Sequence, residues 1–449
     1  MTALLFTVSL SAHRVPAHAQ SAPVSASESS SSGPDSIPLA SDRVLELERN
    51  WGRQYYEYFE RSADAFALTT EEISQRLAEL SAASGEQSAL IYTLATPDAL
   101  ELILVLPNGS VVHRTVRDAA SFQLNRTIRE LHRSLTLRRN PQSPRSLAPS
   151  QRLYQWIMKP LEPILDSAQI DVLLFCAGPG LRTLPFAALH DGQRFLSELY
   201  GVALIPAFNL INPHHQPLQD VPILAMGASE FQQLDNLPAV PSELEAIAQL
   251  PWPSTTAINP AFTVDNLTQH LQTASFPIVH LATHAQFLPG NLDQSFLQLW
   301  DNETLNLRQV NELPWKEADV DLLVLSACQT AVGDRQAELG FAGVAYQAGV
   351  NSTVASLWRV SDLGTFVLMQ EFYAQLINPT VQTKVEALRR AQQTLINGDV
   401  YIQDGQIHNP RGTLPLPPFL GESAEAQSIE TDFANPYYWS AFTLIGNPW

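Results

Sequence analysis

From residue 43 onward, apolar positions recur at three- and four-residue steps. Val44, Leu47, Trp51, Tyr55 and Tyr58 form one stripe, which predicts an amphipathic helix. Thr69 and Glu72 make a capping box ahead of Ile73, Leu77 and Leu80, so a second helix starts there. Short strands follow at 90–95, 100–106 and 110–116, separated by Pro97-Asp98 and by Pro107-Asn108-Gly109, a strong hairpin signal. A helix over 118–138 and a Pro-rich break at 141–149 complete this part. After residue 150 the pattern changes. A helix over 150–167 precedes a continuous apolar strand at 171–176, with further apolar strands at 221–226, 277–283, 320–327 and 352–357. Helical segments lie between most of them. Unbroken apolar strands alternating with helices predict an α/β fold: a mainly parallel sheet covered on both faces. Helices are expected at 362–377 and at 383–397, the second capped by Thr383 with Glu386. The stretch 403–434 reads as irregular, and a last strand as 438–444. The domain reading is an export-like segment at 1–19, a Ser/Pro/Ala-rich linker at 20–42, N-terminal helices with a small β-meander at 43–149, and the α/β domain at 150–449.

In open parallel sheets, reactive groups collect where strands end at their carboxyl edge. Two strands end in reactive residues. One runs through His280 to His284, the other through Ser326 to Cys328, and His284 and Cys328 stand 44 residues apart. That interval accommodates a crossover to a neighbouring parallel strand, so the two side chains can meet. A free thiol has a pKa near ~8.5, and an adjacent imidazole raises its thiolate fraction. The backbone N–H groups of Ala285 and Cys328 are the candidate oxyanion donors. His280 and His284 lie four apart, as in helical zinc motifs, but Leu281 stands where such a motif needs Glu and the run reads as strand. No metal and no cofactor are expected. His280 reads as a core histidine supporting the site, His214-His215 as a solvated loop, and Cys176 as packing. A Cys176–Cys328 disulfide would compete with a thiolate mechanism.

Six blocks resemble, in order, those of the CHAT domain, a caspase-like cysteine peptidase family related to separases. They are GLRTLPFAALH at 180–190, LPAVPSELEAI at 237–247, HLATH at 280–284, LVLSACQT at 323–330, VASLWRVSD at 354–362 and PYYWSAF at 436–442. The resemblance runs over about 150–449 and more weakly back to about residue 85. It implies a caspase-like fold and hydrolysis of a protein or peptide substrate, with His284 as general base and acid and Cys328 as nucleophile. Trp358 would form part of the substrate wall. Asp362 would lie near the first specificity pocket or cap the following helix. Asp334 and Glu338 are the other acidic candidates for a pocket that takes a basic residue. The family's Gly after the catalytic His is Ala285 here. A positive φ at that position would cost roughly 1–2 kcal/mol and crowd the oxyanion pocket. The alternative is an inactive scaffold module of the same fold. The family's association with tetratricopeptide repeats makes a repeat or adhesion-type protein the expected partner.

Composition narrows the picture. The 449 residues carry a net charge of −19 with three lysines, so nothing tracks a phosphate backbone and nucleic acid is not an expected partner. Two cysteines exclude a disulfide framework. No apolar run approaches a membrane span of about 20 residues. Residues 3–10 are mostly apolar and Ala17-His18-Ala19 has a signal-peptidase form, so export is expected although the basic start is missing; the alternative is a disordered tail on a cytoplasmic protein.

Overall fold

The computed structural model describes residues 40–60, 67–136, 144–288, 292–326, 339–340, 343–358, 360–418 and 433–449. The export-like segment, most of the linker, Cys328, Asp334 and Glu338 lie outside the described residues. In chain order the strands are β1 (Ser88–Ala95), β2 (Leu100–Val105), β3 (Val111–Val116), β4 (Val172–Ala177), β5 (Gly201–Ile205), β6 (Ile223–Gly227), β7 (Ser254–Ile258), β8 (Ile278–Ala282), β9 (Ala285–Gln286), β10 (Phe296–Gln298), β11 (Thr304–Asn306), β12 (Leu322–Leu325), β13 (Ser352–Ser356), β14 (Tyr401–Gln403), β15 (Gln406–Asn409), β16 (Gly412–Pro415) and β17 (Phe442–Gly446).

Eleven of these build one sheet in the order β3-β2-β1-β4-β5-β17-β13-β12-β8-β6-β7. β12 pairs parallel with β13 on one side and with β8 on the other, and β8 pairs parallel with β6. β17 runs parallel to β5 but antiparallel to β13. The strands on the two sides of this seam therefore point in opposite directions. Strands β4, β5, β6, β8, β12 and β13 are buried at every residue, which requires cover on both faces. The fold is α/β with a mostly parallel central sheet flanked by helices. The meander of segment 43–149 belongs to this sheet, because β1 pairs parallel with β4.

Local rules place most elements. The helix Thr70–Ser84 has its capping box at Thr69 and Glu72, and ends at Gly85 in the left-handed conformation. Several expectations change. The linker ends early, because a helix already begins at Ala40. The Pro-rich break is partly helix: Pro144 opens Pro144–Ile157, where a missing N–H has no helical partner to lose, and a separate turn follows at Glu162–Ser167. The irregular stretch contains a three-stranded meander, β14-β15-β16, turned by Asp404 and Gly405 at positive φ. The last strand starts later than expected. Asn435 caps a short helix, Pro436–Trp439, and the strand is Phe442–Gly446. Strands β5 and β7 and the small β9-β10-β11 sheet carry too weak a pattern to have been anticipated.

Among the described residues, no helix is long and apolar enough to cross a membrane.

Candidate active site

The site is built where β8 and β12 end side by side. Their register closes with Leu325 opposite Leu281. Beyond β8 come Thr283 and His284, then β9. Beyond β12 comes Ser326, the last described residue on that side. A cleft of about 560 Å³ opens over these ends, with His284, Ala285, Ser326, Ser356, Asp362 and Glu243 on its walls.

His284 is half-buried. Its Nε2 lies 2.8 Å from the main-chain carbonyl of Asp235, and the Phe231 ring packs on the imidazole at 4.7 Å between centroids. A carbonyl only accepts, so Nε2 carries the proton and Nδ1 is left as the basic nitrogen of the neutral ring. The His284 carbonyl in turn accepts from Gln298 N–H at 2.8 Å, which pins the residue to β10.

That bond decides the status of Ala285. Since His284 and Gln298 are the hydrogen-bonded pair, Ala285 opposite Leu297 is the non-bonded pair of the ladder. Its N–H therefore points away from β10, and the residue lines the cleft. Ala285 lies in the extended strand β9 and is absent from the positive-φ positions. The left-handed backbone considered from the sequence does not exist here, so alanine carries no such strain.

Asp362 lies on the cleft wall in the first turn of the helix Asp362–Leu376. Capping falls to its neighbour: Ser361 Oγ accepts from Gly364 N–H at 3.1 Å. Trp358 does not reach the cleft. Its side chain is 3% exposed and packs edge-on against His132 at 5.8 Å. β13 ends at Ser356, whose hydroxyl donates to the Trp358 carbonyl at 3.1 Å across the bend that follows the strand. Cys176 is a free, buried thiol donating to the Pro206 carbonyl at 3.4 Å, and burial pushes its pKa up. His214 and His215 are half-buried rather than solvated; His215 Nε2 meets the Gln382 carbonyl at 3.0 Å.

Beneath the cleft lies a polar cluster that sequence reasoning missed. Glu243, 3% exposed, accepts the Ser326 hydroxyl on Oε1 at 2.5 Å. His280, fully buried, places Nε2 3.2 Å from the same oxygen, although not in hydrogen-bond alignment, and its Nδ1 meets the Tyr373 hydroxyl at 3.0 Å. Burial pushes the Tyr373 phenol well above its ordinary pKa, and the Glu243 charge adds to this. His280 is thus the core histidine expected. A signal for Glu243 existed: it stands on the same helical stripe as Val240, Leu244 and Ile247, where an acid must find a partner. Among the described residues, no group of three His, Cys, Asp or Glu side chains converges as a metal site.

The CHAT domain family model matches residues 147–447. The chain belongs to the CHAT domain family. A search of curated proteins returned no match. Among solved structures, this CHAT chain is similar to two Saccharomyces cerevisiae separase–securin complexes. One shows 12% identity and a TM-score of 0.49, over 91% of this chain and 32% of that one. The other shows 12% identity and a TM-score of 0.48, over 90% and 33%. The complex of Porphyromonas gingivalis RgpB pro- and mature domains shows 11% identity and a TM-score of 0.38, over 73% and 76%. The CHAT chain spans about a third of the length of the separase chains it matches.

Proposed function

We propose that this CHAT chain is a cysteine endopeptidase with His284 as general base and acid and Cys328 as nucleophile. The observation that carries the reading is the β8–β12 register. It ends with Leu325 opposite Leu281, and three residues further along each chain stand Cys328 and His284. The tautomer supports the role of His284. With Nε2 donating to Asp235, Nδ1 takes the thiol proton, and the main-chain carbonyl holds the ring in that orientation. The thiolate sulfur adds to the scissile carbonyl carbon. The oxyanion is met by the N–H of Ala285 and that of Cys328. The imidazolium then passes its proton to the leaving amine as the C–N bond breaks, and water hydrolyses the thioester. Asp362 on the cleft wall favours a basic residue before the cut bond. Asp334 and Glu338 are further acidic candidates for the same pocket.

An inactive scaffold of the same fold is the second reading. It is favoured by the segment 231–235, whose Phe231 ring and Asp235 carbonyl both pack against the imidazole. The test is covalent labelling by a thiol-directed peptide probe ending in arginine, applied to the full chain, Cys328→Ala and His284→Ala. Labelling at residue 328 that both substitutions abolish supports the peptidase. Labelling that persists in Cys328→Ala, or none in the parent chain, leaves the scaffold.

A further inference from the structure

A second cavity, of about 240 Å³, lies behind the candidate active cleft. It is enclosed by the helices Val240–Ala248 and Asp362–Leu376 and by the β15–β16 hairpin. Its walls are mixed: Ile247, Leu250, Met369, Ala374 and Leu414 give an apolar stretch, Gln249, Gln370, Asn409 and Thr413 add neutral polar groups, and Glu243 and Tyr373 close it toward the core. Glu243 is therefore shared, because it also lines the active cleft. Ser326 donates to its Oε1 and His280 Nε2 stands 3.2 Å from that oxygen, whereas no described residue donates to Oε2. The buried carboxylate is held on one oxygen from the cleft side and has capacity on the other.

The sign of the ligand follows from the remaining charges. Arg411 also lines the cavity, but it is spent. Its guanidinium is paired bidentately with the buried Glu371 at 2.7 and 2.6 Å, which ties the hairpin to the helix. A ligand entering here meets one neutralised cation, one carboxylate with a vacant oxygen, and a wall that is apolar along Leu250, Met369 and Ala374 with uncharged Gln249, Gln370, Asn409 and Thr413 around it.

We propose that this cavity binds a small amphiphile with a protonated amine head on Glu243 and an apolar body along Leu250, Met369 and Ala374, and that occupancy is transmitted to the active cleft through Glu243. An ammonium on Oε2 draws the carboxylate away from Ser326 and His280. Ser326 stands two residues before Cys328, so the strand end loses its anchor and turnover falls. The coupling to turnover rests on the peptidase reading; the binding does not.

The test uses the full chain and three probes of equal length: n-hexylamine, n-hexanol and n-hexanoate. Calorimetry is expected to show hexylamine bound about tenfold tighter than hexanol, as one added charge-assisted hydrogen bond allows, and hexanoate not bound. With histidine-selective isotope labelling, the His280 ring signal moves on addition of hexylamine. Ala374→Trp fills the cavity and abolishes both responses, and Ala246→Phe on the facing helix does the same should Ala374→Trp not fold. No hexylamine binding, equal binding of all three probes, binding that survives the filled cavity, or a stationary His280 signal each overturn the proposal. Hexylamine binding with a moving His280 signal, in a chain that no thiol-directed probe labels, retains the cavity and its link to His280 and removes the peptidase reading.

Discussion

Ser326 Oγ donates to Glu243 Oε1 at 2.5 Å and joins the end of β12 to the first turn of a helix that crosses behind it. Both groups are almost wholly buried, so loss of the bond leaves a carboxylate oxygen short of a donor. Ser326→Ala is expected to cost about 1–3 kcal/mol of stability, measured by urea denaturation. Ser326→Thr, which keeps the hydroxyl, is expected to lose less. Equal stability of Ser326→Ala and the parent chain would show that this bond does not hold the strand end.

Gly227 closes β6 beside the end of β8. A Cβ there would stand 2.6 Å from the Ala282 carbonyl oxygen and 2.8 Å from Val240 Cγ1. The first is backbone of the strand that leads to His284, and the second opens the Glu243 helix. Neither can retreat without moving the site. Gly227→Ala is expected to destabilise the fold by about 1–3 kcal/mol through overpacking and to slow probe labelling of the chain that remains folded. The check is thermal unfolding together with labelling under native conditions.

Asp362 supplies a carboxylate to the cleft wall. Asp362→Asn keeps the shape and removes the charge. The expected outcome is a loss of preference for arginine over a neutral isostere by about tenfold or more in kcat/KM, the scale of one charge-assisted hydrogen bond, with the fold intact because Ser361 caps the helix. The comparison of paired peptide substrates decides it. Unchanged selectivity would move the role to Asp334 or Glu338.

His132, packed against Trp358, has its pKa pushed down to about 4 by burial, with the Thr183 backbone partly opposing. The unfolded chain takes up a proton near the ordinary value of about 6.5, whereas the folded one does so only near 4. The unfolded state therefore binds more protons between these values, and stability falls as pH drops through that window. His132→Phe keeps the ring contact and removes the titration. Its melting temperature is expected to decline less than the parent's between about pH 7 and about pH 5. Parallel declines would place the acid sensitivity elsewhere.

How much of this could be read from the chain depends on the range of the forces involved. The position of His284 was legible because a continuous apolar strand must be buried on both faces and the polar residue that follows it falls at the strand's end, in the cleft wall. Trp358 follows β13 in the same way, yet the chain bends there and the indole is buried against His132. No periodicity signals such a bend. Ala285 illustrates a related case. The concern about a left-handed backbone rested on a residue type, and the β9–β10 ladder removed it by pairing His284 with Gln298. The 438–444 run is rich in aromatic and apolar residues and reads as a strand, but Asn435 and Pro436 form a helix start that local rules would have identified. Glu243 was within the quoted blocks as a helix residue. Its position on the apolar stripe was visible; the hydroxyl that bonds it and the imidazole that stands beside it come from residues 83 and 37 positions away.

The one-dimensional pattern by itself determined the α/β class, the capped helices and the two neighbouring strands that lead to His284 and to Ser326, because these follow from burial of apolar runs and from hydrogen bonds within a few residues. Tertiary structure alone decided which side of His284 carries the proton, where the Ala285 N–H points, that Asp362 faces the cleft while Trp358 does not, and that one buried carboxylate borders two cavities. Those outcomes depend on contacts between segments far apart in the chain, where partners are chosen by packing and not by local propensity.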